Sequence, residues 1–315
     1  MRSEKRLEKE LSSYAHKRVR ELKSTFKQII EKSNGGAVHS FRKATRHLQT
    51  IVAAIAIHRP SRKTEKIRRR LQKCRHALGE WRDDEVVLKE VKKAQRKAHT
   101  KNERQCWSQV AKRTAKEHRR TLKKFFRKYK SLRVSATGAK VRALVKKKIQ
   151  SESMMDNLRL LLERGWENWN GAIDDFLGDS TAAKLHAVRI KAKTLRYSVG
   201  LSQRLYPDSH LNSSSEWLKE IQDRIGAWHD IFMLGQRASE TFSRTQRDPG
   251  AIKVIREIKE KEIAMAESAR DFISGIAKTK QYQRLQMLLS ATVYAMENGS
   301  DPGKLAAESI RGPLQ

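Results

Sequence analysis

Between residues 38 and 52 the chain sets Val38, Phe41, Thr45, Leu48 and Val52 three or four positions apart, and between 185 and 199 it repeats the spacing with Leu185, Val188, Ala192, Leu195 and Val199. Each set falls on one side of an α-helix, where it can face a core. Similar stretches predict helices over 4–32, 37–58, 63–78, 81–131 (broken near Thr100), 140–177, 181–205, 211–225, 228–246, 250–277 and 280–298. Gly35, Gly36, Pro60, Gly79, Gly178, Pro207, Gly226 and Pro249 punctuate them, with Gly79 as a helix C-cap. No segment alternates as a strand would, so the fold class is all-α. The stretch "SLRVSATG" at 131–138 reads as a linker. It divides a single domain, 5–298, into helical bundles at 5–133 and 140–298, with a flexible tail at 299–315.

The two apolar stripes belong to an internal repeat. His39 and His186 are 147 residues apart, as are Gly79 and Gly226, so the register does not slip between these marks. Between 39 and 83, nine residues coincide at that offset, among them Arg42/Arg189, Pro60/Pro207, Trp81/Trp228 and Asp83/Asp230. The expectation is two homologous helical bundles facing each other across a pseudo-twofold axis.

One residue along from each stripe lies a ladder of donors. His39, Arg42 and Arg46 occupy positions i, i+3 and i+7, and His186, Arg189 and Lys193 match them, with Arg196 a further turn on. Net charge sharpens this picture. The chain carries +34, and residues 1–150 hold 46 Lys and Arg against 13 Asp and Glu, so the N-terminal half supplies +33 of it. Such a balance calls for a polyanionic partner: nucleic acid, an acidic membrane surface or a phosphate polymer.

"VHSFRKATRHL" and "LHAVRIKAKTLRY", each followed by a G-x-W-x-D segment, resemble the CHAD family, the conserved-histidine α-helical domain, over about residues 5–298. The second motif follows the family's H-x-x-R-x-x-x-K-x-L-R-Y. The first departs from it, with Gln49 at the place of a third-turn arginine and His47 as an added donor. In the C-terminal half Phe232 replaces the second acid of L-G-x-x-R-D-x-D-V. The resemblance implies two four-helix bundles related by pseudosymmetry and binding of inorganic polyphosphate on a basic central surface. The candidate binding residues are His39, Arg42, Lys43, Arg46, His47 and Arg82, and His186, Arg189, Lys191, Lys193, Arg196 and His229.

Arginine suits this task because its planar fork gives two hydrogen bonds to non-bridging phosphate oxygens. Each histidine is either a phosphate donor, which includes orienting the arginine three residues on, or a buried tie between helices. No H-E-x-x-H, paired cysteines or His–carboxylate cluster points to a metal, and no cofactor or catalytic residue is expected. Trp81 and Trp228 are expected to anchor the bundles, and Asp83 and Asp230 to act as N-caps or to hold an arginine. On residues 89–130, Lys116, Arg120, Lys123 and Arg127 form an electrostatic strip for capturing an anionic polymer.

The reading that follows is non-enzymatic polyphosphate binding in the cytoplasm, associated with polyphosphate granules. Nucleic-acid binding is the first alternative, although no groove-reading motif or exposed stacking aromatics accompany the charge. A phosphoanhydride hydrolase, or its accessory domain, is the second. It is disfavoured because acids are scarce near the ladders and no glycine-rich phosphate loop is present. The most apolar run, "IVAAIAI" at 51–57, is too short to span a bilayer, so no membrane insertion is expected. Cys74 and Cys106 are read as reduced thiols.

Overall fold

The computed structural model describes residues 2–32, 35–148, 154–205, 211–243 and 248–297. Among them are eleven α-helices, two short 3-10 turns and no strand. The helices are α1 (Arg2–Lys32), α2 (Gly35–Ile55), α3 (Arg62–His76), α4 (Gly79–Lys97), α5 (Lys101–Lys128), α6 (Val134–Lys148), α7 (Met154–Gly178), α8 (Ala182–Leu205), α9 (Asn212–Phe242), α10 (Pro249–Ser274) and α11 (Lys280–Glu297). Local chemistry sets several starts. Ser61 and Thr64, like Thr100 and Glu103, exchange side chain and backbone hydrogen bonds as capping boxes. Asp248 accepts from the amides of Gly250 and Ala251 behind a proline at the first helical position.

Helix starts recur close to the sequence offset. Gly35 and Ala182 open α2 and α8, 147 residues apart, while α5 and α10 begin 148 apart and α6 and α11 begin 146 apart.

Three expectations are corrected. The helix expected over 140–177 is two helices, α6 and α7. The linker expected at 131–138 is a 3-10 turn, Tyr129–Leu132, followed at once by α6. Its apolar residues Val134, Val141, Leu144 and Val145 are buried against α1, α2 and α3, so residues 134–148 complete the N-terminal core. Gly79 opens α4, the C-cap of α3 being Ala77, and Gly226 interrupts nothing, since α9 runs through it. A helix-interior glycine costs only about 1 kcal/mol, and buried Ile225 and Trp228 fix the segment on either side. The tail at 299–315 and Pro207 lie outside the described residues.

Three buried clusters hold the molecule together. The first gathers α1, α2, α3 and α6, with Phe41, Leu48 and Ile55 at its centre, and is closed by the start of α7 and the end of α8. The second gathers α7, α8, the first part of α9, the end of α10 and α11 around Trp169, Leu195 and Trp228. The third belongs to both halves: Val87, Val91, Trp107 and Val110 of α4 and α5 pack on Leu234, Phe242, Val254 and Ile258 of α9 and α10.

Ion pairs tie the same halves together. Arg237 donates to Asp84 at 2.5 Å, and Lys253 pairs with Glu103. Burial raises the Asp84 carboxyl above its ordinary value despite Arg237. The pair therefore does not recover its own desolvation, yet breaking it strands a buried charge. Replacing Arg237 by alanine should lower unfolding free energy by about 3–5 kcal/mol, read as a fall in the urea midpoint with native helicity kept in buffer.

Candidate anion-binding site

α2 and α8 lie against each other at the junction of the halves. Their apolar stripes are buried in the first and second clusters respectively. The positions one residue along turn about 100° from those stripes, and there the two ladders meet. Their electrostatics record the meeting. Burial lowers the Arg42 pKa, and Arg82 and Arg189 lower it further against the attraction of Asp83. Arg46 is pushed down to about 10 by burial, then by Arg75, Arg42 and Arg189. Lys193 is pushed down to about 7 by burial, then by Arg46, Arg189, Arg42 and Arg196. Two of those four guanidinium groups come from the other half.

Each arginine is seated on a glycine. Arg42 Nη1 donates to the Arg75 backbone carbonyl at 2.9 Å, beside the C-terminus of α3, where a helix dipole favours a cation. The same nitrogen lies 3.4 Å from where a Cβ on Gly79 would stand, and Arg189 Nε lies 3.8 Å from that point at Gly226. In both halves the repeated glycine thus lies at ordinary van der Waals distance from a ladder guanidinium, whichever way the helix runs through it.

Asp83 and Asp230 are not N-caps. They lie inside α4 and α9, one residue after the half-buried Arg82 and His229. Burial raises both carboxyls, and the attraction of Arg42 for Asp83 and of Arg189 for Asp230 opposes it. Each acts on an arginine at the junction through charge, Asp83 on Arg42 and Asp230 on Arg189. Trp81 and Trp228 are each 2 % exposed and anchor their helices.

The histidines divide. His39 is exposed, and burial of its ring, Arg82, Lys193, Lys43 and Arg42 depress its pKa. His186 meets His229 edge-on with ring centroids 4.8 Å apart, and burial and Arg189 hold His229 down to about 4. His47 departs from the expected donor set. One position beyond Arg46 on the helix, it turns toward α1, where Nδ1 lies 2.8 Å from the Tyr14 hydroxyl, and burial, Arg18, Lys43 and Arg196 hold it down to about 3. It is a neutral packing tie. Lys191 also leaves the set: two positions before Lys193, it points to α7 and donates to Asn168 at 3.0 Å. Lys43 is exposed at the flank, and Arg82 sits beside His39 with a 2.7 Å bond to Glu85. Lys116, Arg120, Lys123 and Arg127 are exposed along α5.

Two residues join the site that the repeat did not reveal. Arg75, at the end of α3, donates to Gln49 at 3.0 Å, so a guanidinium from another helix stands where the first ladder lacks its third-turn arginine. Tyr197 lies between the ladders, with Arg46 and Arg196 at 5.9 and 5.4 Å from its ring centroid, within cation–π range. Arg75 has Gln222 at its repeat position, so the offset gives no signal for it. Tyr197 was visible only as the last letter of the second motif.

Arg196 Nε and His229 Nδ1 are buried without a hydrogen-bond partner among the described residues. Among those residues no three His, Cys, Asp or Glu side chains gather as metal ligands would, and no helix is long and apolar enough to cross a membrane.

A helical protein whose two halves bring matched histidine–arginine ladders together at one junction is the class these features define. A family model for the CHAD domain matches residues 13–239, most of the chain, and the protein belongs to that family. The crystal structure of the CHAD domain from the plant Ricinus communis is similar in fold, with a TM-score of 0.65, 16% identity, and coverage of 86% of this chain and 90% of that one. No curated protein matches the sequence.

Lys193 yields a stability prediction. Its folded pKa, about 7, lies below the unfolded value, so its charged form is disfavoured by folding. That cost is complete below pH 7 and fades as pH rises toward the unfolded value. Lys193→Met should therefore raise the unfolding free energy at pH 6 by more than about 1 kcal/mol, read as a higher urea midpoint, with the gain narrowing toward pH 10.

Proposed function

We propose that this chain binds inorganic polyphosphate between α2 and α8 and does so without cleaving it. The observation that carries the reading is the convergence of Arg42, Arg46 and Arg75 with Arg189, Lys193 and Arg196 in a half-buried junction whose nearby carboxylates are Asp83 and Asp230. Cations outnumber acids there, and like charges forced together are relieved by an anion. Arg42 and Arg189 grip non-bridging oxygens through charge-assisted bonds, and Arg196 Nε and His229 Nδ1 are further groups with hydrogen-bonding capacity to spare. The exposed strip on α5 draws the polymer in from a distance. Bound counter-ions are released, so affinity falls with salt as it does for nucleic-acid backbones. A chain that holds polyphosphate in this way fits the surface of a cytoplasmic polyphosphate granule.

Replacing Arg42 and Arg189 together by alanine should weaken binding to a defined polyphosphate, each lost charge-assisted bond being worth about 1.5–3 kcal/mol. Circular dichroism should show the helices intact. Unchanged affinity in the folded double variant would reduce these arginines to structural groups. Phosphate release from the bound polymer, with Mg²⁺ or Mn²⁺ present and abolished in that variant, would make the protein an enzyme.

Proton linkage provides a separate check. The ammonium of Lys193 is half-formed near pH 7 in the free protein, and a bound polyanion favours it. Binding should take up protons above pH 7 and weaken as pH rises from there. Lys193→Gln should flatten that slope while leaving the salt dependence steep.

A further inference from the structure

A second concentration of positive charge lies on the other flank of α3. Arg75 leaves that helix toward Gln49 of α2. Arg62, Glu65, Lys66, Arg69, Arg70 and Lys73 instead line a groove open to solvent. Lys140 of α6, the helix that packs on α3, lies within electrostatic reach of Arg70 and Lys66, and Arg133, the residue before α6, acts on Lys140 as well. Lys140 is fully exposed, yet its pKa is lowered, first by Arg70 and also by Lys66, Arg133 and Lys63. Water and salt screen such an ammonium from its neighbours in part, and the cations that act on it come from both α3 and the α6 side.

Among the described residues, no ion pair neutralises Lys66, Arg70 or Lys73. Glu65 is the acid in the groove, and it is already bonded to Arg68 at 2.8 and 2.9 Å and to Arg69 at 2.9 Å. Arg133 is held in place by the backbone. Its φ of 48° makes it the left-handed residue between the 3-10 turn and α6, and buried Leu132 and Val134 clamp it on both sides. A non-glycine residue there costs about 1–2 kcal/mol, and its charge acts on Lys140.

We infer that the α3–α6 groove is a second anion site, which takes a short run of linked phosphate groups independently of the α2–α8 ladders. Charged side chains alone line it, with no ring on which a base could stack, so it recognises phosphates and not nucleobases. Lysine and arginine stems form its walls, which suits a flexible linear polyanion better than a rigid duplex. With one site on each side of α3, a single protein can hold two strands, or two points on one strand.

Calorimetric titration of the full chain with inorganic tripolyphosphate, too short to span both places, tests this at fixed ionic strength. Two sites are expected per chain. Lys66→Ala, Arg70→Ala and Lys140→Ala together should remove one of them, or weaken it at least about tenfold. Lys66→Glu with Lys140→Glu, which alters exposed residues alone, should do the same and guards against a folding defect from the half-buried Arg70. The Arg42→Ala, Arg189→Ala variant should keep this site while losing the other. Wild-type stoichiometry and affinity in both groove variants would show a merely solvated face and overturn the inference, and so would one site per chain lost with the ladder arginines. If the ladder variant instead keeps both sites, the α2–α8 reading fails and the groove stands. Tighter binding of an oligonucleotide than of tripolyphosphate at the groove would overturn the phosphate assignment.

Discussion

The structure depends on a repulsion that it cannot avoid. α2 and α8 must each bury an apolar stripe, one in the first cluster and one in the second. Helix geometry then decides where the next position points, and in both helices that position carries a cation. Docking the halves through their cores therefore drives Arg42 and Arg46 toward Arg189 and Lys193. The apolar burial is large and the repulsion is local, so the cores win. The result is a lysine whose ammonium is destabilised, first by burial and then by the guanidinium groups around it, until it titrates near neutrality.

The surroundings soften this repulsion without cancelling it. Asp83 and Asp230 stand near the arginines, but their own carboxyls are disfavoured by burial, so they are not free gains. The Arg75 carbonyl accepts from Arg42, and Tyr197 offers its ring to Arg46 and Arg196. Gly79 and Gly226 lie in van der Waals range of Arg42 and Arg189 and supply no charge. The shared third cluster and the Arg237–Asp84 pair then fix the halves in this arrangement. The cations of this junction cannot separate to relieve their repulsion, which is the ground for the anion binding proposed above.

Much of this was legible along the chain. The stripe of Val38, Phe41, Leu48 and Val52 announced both a helix and its buried side, and the fixed offset of 147 predicted a second copy, close to which the starts of α2 and α8, α5 and α10, and α6 and α11 recur. What periodicity could not supply was anything contributed by one half alone. Arg75 has no counterpart in the repeat, and its role became visible only when α3 folded back on α2. His47 and Lys191 misled for the opposite reason: they share a helix with the ladders, yet one and two positions of displacement turn them onto α1 and α7. Gly226 misled because a glycine marks a break only where the flanking residues do not hold the helix, and Ile225 and Trp228 do hold it. The linker at 131–138 looked polar and small, but its valine at 134 starts a helix whose burial closes a core.

The two halves have drifted apart in how they complete one task. The C-terminal ladder extends along a single helix, through Arg189, Lys193 and Arg196. The N-terminal ladder stops at Arg46, with Gln49 at the next rung, and that glutamine accepts from Arg75 brought in on α3. One cation on the helix has been exchanged for one beside it, with the amide acting as its seat. On the same helix His47 packs against Tyr14 and Tyr197. The exchange commits α3 on both flanks, for Arg75 faces the ladders while Arg70 faces Lys140. The positive charge that sets the N-terminal half apart is therefore more than a diffuse field. Part of it replaces a lost rung, and part of it lines a groove with no acid to spare.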